Sequence, residues 1–148
     1  MEKENVGKGI LFAVVGAVVG FIVWVALIAF LELGTGGVFG GILAAGLGMI
    51  IATAYQKGSG GKAGAVGFIV AILLSATGAV AAIILGASFL IYNEGVGDSV
   101  FDAMGILWDL LRSEVIQDTS IAAGIAAVMA VVSLVGGNKK DTKAETEN

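Results

Sequence analysis

Apolar residues fall in four long runs along this chain, and the stretches between them hold nearly all of its charge. The first run covers residues 9–31, about 23 positions, enough to cross a hydrocarbon core of roughly 30 Å at 1.5 Å per helical residue. A cleavable signal peptide has an apolar region of only about 7–15 residues, so this run is expected to remain as a span. Gly34-Thr35-Gly36-Gly37 turns the chain, and so short a connection makes the second run, 36–55, an antiparallel neighbour of the first. The glycine-rich stretch 56–64 ends that span and leads to the third run, 65–92. At about 28 residues it must tilt or emerge from the bilayer. The fourth run, 120–136, is the shortest, with Asp118, Thr119 and Ser120 as candidate caps at its start.

Between the third and fourth runs the pattern changes period. From about 98 to 117 the polar positions Asp98, Asp102, Gly105, Asp109, Arg112 and Ser113 share one helical arc. The opposite arc collects Val100, Phe101, Met104, Leu107, Trp108, Leu110, Leu111 and Val115. Ser99 with Asp102 fits a capping box. The pattern predicts an amphipathic helix at the outer interface, Trp108 at headgroup depth, packed as a lid over the bundle's mouth. Asp109 and Arg112, three residues apart, would contribute a few tenths of a kcal/mol as a pair. The fold class that follows is an all-α integral membrane protein, with four transmembrane helices plus one outer amphipathic interfacial helix. A polar lead (1–8) and a disordered tail (138–148) flank the membrane domain (9–137).

Water-driven burial cannot join helices inside lipid, so close packing of small residues has to do it. Each span has such residues at helical spacing: Gly16 and Gly20 in the first; Gly36, Gly40, Ala44, Gly48 and Ala52 in the second; Gly67, Ala71, Gly78 and Gly86 in the third; Gly124 in the fourth. These are the expected packing positions of an intramolecular bundle. A face left over would suit a second copy or another membrane protein. The two halves also show a faint duplication, with residues 41–46 (GILAAG) matching 122–127 (AAGIAA), which predicts like halves about an axis along the membrane normal.

Composition narrows the chemistry. The chain of 148 residues is 57% hydrophobic and only 14% charged, against about 25% charged in water-soluble domains. Cysteine and histidine are both absent, which removes thiol nucleophiles, disulfides, thiolate metal sites and imidazole catalysis. No ionisable residue lies mid-span, where proton relays and ion-coupled transport place theirs. Seven of the eight basic residues (Lys3, Lys8, Lys57, Lys62, Lys139, Lys140, Lys143) fall on one side of the four spans, and only Arg112 on the other. The positive-inside rule then places both termini in the cytoplasm of a cell-membrane protein. Six of the twelve carboxylates lie in the outer segment, at Glu94, Asp98, Asp102, Asp109, Glu114 and Asp118. Their spacing matches no EF-hand loop, and carboxylates along one exposed helix face do not converge, so no metal and no cofactor is expected. Net acidity with so few basic residues leaves no nucleic-acid footprint. Lys62 is followed by alanine, so the glycine loop before it is no phosphate-binding motif.

Ala54-Tyr55-Gln56-Lys57 closing the second span, Gly60-Gly61-Lys62 in the loop, and Ser99-Val100-Phe101-Asp102-Ala103 after the third span resemble a group of small four-span bacterial membrane proteins. That group has no established activity, so the resemblance implies architecture alone. The two-hairpin plan is also superficially similar to rotary-ATPase proteolipids and small multidrug exporters. Both depend on a membrane-embedded carboxylate, whereas Glu32 stands at a helix end. The expected function is therefore that of a non-enzymatic accessory or scaffold component of the membrane, with the bilayer as its first partner. The alternative is a small channel or transporter whose pore forms within the bundle or between protomers. The outer segment is the expected working surface.

Overall fold

The computed structural model describes residues 4–31 and 37–146, and all of its regular structure is helical. Four helices follow one another: α1 (Val6–Leu31), α2 (Gly37–Ser59), α3 (Ala65–Asn93) and α4 (Val100–Thr146). Four helical segments are long and apolar enough to cross a membrane: Val6–Leu31, Val38–Ser59, Ala65–Asn93 and Arg112–Asn138. The chain is thus an all-α, four-span membrane protein. Its apolar surface is turned outward: Leu11, Ile22, Ile42, Leu73 and Val128 are each 58–62% exposed. In water such a surface would be an aggregation site; in a bilayer it is the lipid face.

The inward faces carry the small residues, and they set how closely the helices approach. A methyl added at Gly16 would lie 2.9 Å from the Ala54 Cβ, and one at Gly20 would lie 2.6 Å from Leu47 Cδ1, so α1 and α2 meet almost backbone to backbone. Gly67 lies under the Tyr55 ring and Gly78 under Leu47, joining α3 to α2; Gly86 lies under Ile28 of α1. Gly48 packs onto the backbone carbonyl of Ala126 in α4. Gly40, Ala44, Ala52 and Ala71 are buried as well. Gly124 faces away from the bundle, with nothing within 4 Å of where its Cβ would sit. The packing face of α4 is instead Ala122, Ala126 and Ala130. Gly36 lies outside the described residues.

These contacts fix the arrangement. α1 packs on α2 and α3, and α4 packs on the same two helices. α2 and α3 meet more lightly across the middle, and α1 and α4 do not touch among the described residues. The two hairpins therefore lie side by side, with α1 parallel to α3 and α2 parallel to α4. A two-fold axis along the membrane normal would put these like helices on opposite corners. They are neighbours, so the expected axis is absent. Adjacent placement lets Gly48 reach Ala126 and Gly86 reach Ile28, the close approaches that hold the hairpins together.

The outer amphipathic helix runs without a break into the fourth span. Thr119 and Ser120, expected to cap a new helix, instead donate their hydroxyls to carbonyls within α4, Thr119 to Val115 (2.6 Å) and Ser120 to Ile116 (2.6 Å). No proline interrupts the segment, and hydroxyls that bond back to the preceding turn leave a helix continuous. The capping box stands earlier: the Asp102 amide donates to Ser99 Oγ (3.1 Å), and the Ser99 hydroxyl donates to Asp102 Oδ2 (3.0 Å). α4 also continues to Thr146, through most of the tail expected to be disordered.

Candidate functional site

The outer segment was the expected working surface, and its chemistry is dispersed. Asp98, Asp102 and Asp109 are exposed, and so are Glu94 and Glu114. No group of three metal-binding side chains comes together among the described residues. Of the apolar arc, Leu107 and Val115 are buried with Ala103, and Met104 is half-buried, whereas Phe101 (78% exposed), Leu110 and Trp108 face outward. Nothing is described of the Leu111 side chain. Arg112 lies over the Trp108 ring, 5.6 Å from its centroid, and this cation–π contact stands where an ion pair with Asp109 was expected.

The segment is also not a lid. With Gly48 opposite Ala126, the start of α2 falls level with about residue 115 of α4. The first roughly 15 residues of α4, ~22 Å at 1.5 Å per residue, therefore project past α2. They lean on the end of α3, with a crevice of about 160 Å³ between Ile83, Leu90, Leu107 and Val115.

Polar groups converge at the opposite, basic end. The lead-in folds back: the Asn5 amide donates to the Ser59 carbonyl (2.9 Å). Glu4 Oε1 accepts two hydrogen bonds, from the Tyr55 hydroxyl (2.8 Å) and from the Gly64 amide at the start of α3 (2.9 Å). A carboxylate there satisfies an orphan helix donor and complements the positive end of the α3 dipole. Between them the α2–α3 turn closes on itself. Gly60 and Gly61 take φ of +88° and +90°, and the Gly61 amide returns to the Gln56 carbonyl (2.8 Å). That left-handed glycine closure satisfies carbonyls the helix end would otherwise leave open.

α4 fastens the same turn from the other side. Asn138 pairs with the Ala63 backbone through both halves of its amide, accepting from the N–H (3.0 Å) and donating to the carbonyl (3.0 Å). One turn earlier, Gln56 Nε2 donates to the Leu134 carbonyl (2.9 Å). The lead-in, α2, α3 and α4 are thus joined by a clasp of five residues: Glu4, Asn5, Tyr55, Gln56 and Asn138. What it does chemically is to fix the register of the helices, with the Glu4 carboxylate engaged by the Tyr55 hydroxyl and the Gly64 amide.

The clasp was not anticipated from sequence, where 56–64 reads as a flexible turn and 1–8 as a lead. The available signal was Tyr55-Gln56, two side chains that need partners at a span's end, facing a short lead with its own carboxylates. Beside the clasp, between α1 and α2, lies a cleft of about 520 Å³ lined by Lys8 and Lys57. In comparisons of the chain with protein-family models, curated proteins and solved structures, nothing matches.

Proposed function

We propose that the chain is a non-enzymatic, multi-pass component of the cell membrane, an accessory or scaffold protein that supplies a shaped surface and no conduit. The observation that carries this reading is the filled axis of the bundle. Trp24, Ile28, Leu47, Ile51 and Ile83 interlock there with no more than 2% of any one exposed. Large apolar side chains meeting small-residue faces leave no row of hydrogen-bonding groups to replace a solute's hydration, which conduction requires. Among the described residues the buried polar atoms without hydrogen-bond partners are Trp24 Nε1 and Ser75 Oγ, on different helices.

The orientation follows the same logic of charge. Lys8, Lys57 and Lys62 cluster at the clasp end and the outer carboxylates at the other, so the basic end belongs in the cytoplasm. Purified protein reconstituted in liposomes should leak potassium, protons and small solutes no faster than empty vesicles. Leakage rising with the protein-to-lipid ratio would favour the pore and end the accessory reading.

A further inference from the structure

The cleft between the start of α1 and the end of α2 does not stop at the basic end. It holds Lys8, Asn5, Lys57, Ser59 and Gly60, and no carboxylate of the described residues lines it. Phe12 and Lys57 also line a second, apolar furrow of about 440 Å³ that runs down the lipid face of the α1–α2 pair. Its walls are Val15 and Val19 on one side and Met49 and Ile50 on the other, each between 42% and 55% exposed. The furrow is a consequence of the glycine packing. Gly16 and Gly20 bring the helices so close that the apolar side chains flanking the contact stand up as two ridges.

A two-lysine pocket continuous with an apolar groove is chemically complementary to one kind of molecule. We propose that it binds an anionic phospholipid of the surrounding bilayer, headgroup phosphate between Lys8 and Lys57 and one acyl chain in the α1–α2 furrow. Two features support this occupant. Both ammonium-bearing side chains are exposed, and Glu4, the described carboxylate of the lead-in, is held by Tyr55 and Gly64. The Lys8 amide at the start of α1 is already taken by Asn5 Oδ1 (3.1 Å), so the two ammonium groups carry the phosphate. Thr53, one turn from Lys57 within the furrow, is exposed and makes no hydrogen bond among the described residues, so its hydroxyl is open to a ligand. At that depth below the phosphate a lipid presents its glycerol ester carbonyl, an acceptor for the Thr53 hydroxyl. Basic pockets between membrane helices at the cytoplasmic face are a recurrent form of headgroup recognition.

The test uses the full chain, purified in mild detergent and titrated with phosphatidylglycerol or phosphatidylcholine while native mass spectrometry counts retained lipids. One phosphatidylglycerol per chain should be retained in preference to phosphatidylcholine. The double variant Lys8→Gln/Lys57→Gln should hold it about thirtyfold more weakly, a loss of ~2 kcal/mol. Lys8→Arg/Lys57→Arg should restore binding, which separates loss of charge from loss of fold. Val15→Trp should fill the furrow and also weaken retention, while Arg112→Gln, at the far end, should not. Displacement of the lipid by millimolar inorganic phosphate would mean a bare anion site and overturn the lipid assignment. Equal retention of phosphatidylcholine, or undiminished phosphatidylglycerol on the Gln double variant, would overturn the proposal outright.

Discussion

Glycine does different work at different positions in this bundle, and substitution should expose the difference. At Gly48 an added methyl meets the Ala126 carbonyl, a backbone atom that cannot rotate away. Gly48→Ala should therefore force α2 from α4 and cost about 1–3 kcal/mol, the usual range for overpacking. At Gly124 an added methyl meets nothing within 4 Å, so Gly124→Ala should be neutral or gain up to ~1 kcal/mol of helix propensity. Unfolding in a denaturing detergent, followed by circular dichroism, separates the two.

The clasp makes an ordered prediction of its own. Tyr55→Phe strips one of the two bonds on Glu4 and should cost about 1–2 kcal/mol. Glu4→Ala leaves both the Tyr55 hydroxyl and the Gly64 amide without this acceptor and should cost more. Glu4→Gln, which keeps an acceptor of the same shape, should fall nearest to wild type. Equal stability of all three in the same unfolding assay would remove the clasp from the energetics.

At the scale of elements, hydrophobic runs in the sequence were enough to find all four spans. They located the second and third to within a few residues, because nothing but a helix satisfies the backbone in lipid. The joint between the outer helix and the fourth span was not legible. Asp118-Thr119-Ser120 is an equally good start for a new helix and an equally good interior turn, and only the hydroxyl bonds of Thr119 and Ser120 decide between them. The apolar arc misled for a related reason: Phe101, Trp108 and Leu110 are exposed, and in a membrane protein apolar does not mean inward.

Continuity of α4 is directly measurable, since the chain contains no cysteine to compete with introduced labels. Gly105 and Gly136 both have open space where a side chain would start, so each accepts a spin label through a cysteine substitution. A straight helix puts them ~46 Å apart, whereas a right-angle break near Asp118 would bring them to ~33 Å. Pulsed dipolar spectroscopy should return the longer distance.

For the molecule as a whole, charge asymmetry and the filled interior are the two properties that matter. With the basic end inside, Ala65→Cys at the clasp and Ser113→Cys in the outer segment, both exposed positions, should behave oppositely. In intact cells an impermeant maleimide should label the Ser113→Cys variant and reach the Ala65→Cys variant only after permeabilisation. The order of helices around the bundle was hidden from sequence, since small-residue stripes occur on every span and do not name their partners. It took the particular approaches of Gly48 to Ala126 and Gly86 to Ile28 to set like helices side by side.

A filled bundle admits no aqueous path, and Ser75 is the place to ask. Its hydroxyl is fully buried without a hydrogen-bond partner, on the inward face of α3. Ser75→Cys changes one atom and introduces a thiol there. In folded protein in liposomes, a small charged methanethiosulfonate reagent should leave that thiol unmodified. The same reagent should modify the Ala65→Cys molecules whose clasp end faces outward under the same conditions, and the Ser75→Cys variant once it is unfolded. Modification of the folded Ser75→Cys variant at a rate comparable to Ala65→Cys would mean that water reaches the core and that the bundle is not filled.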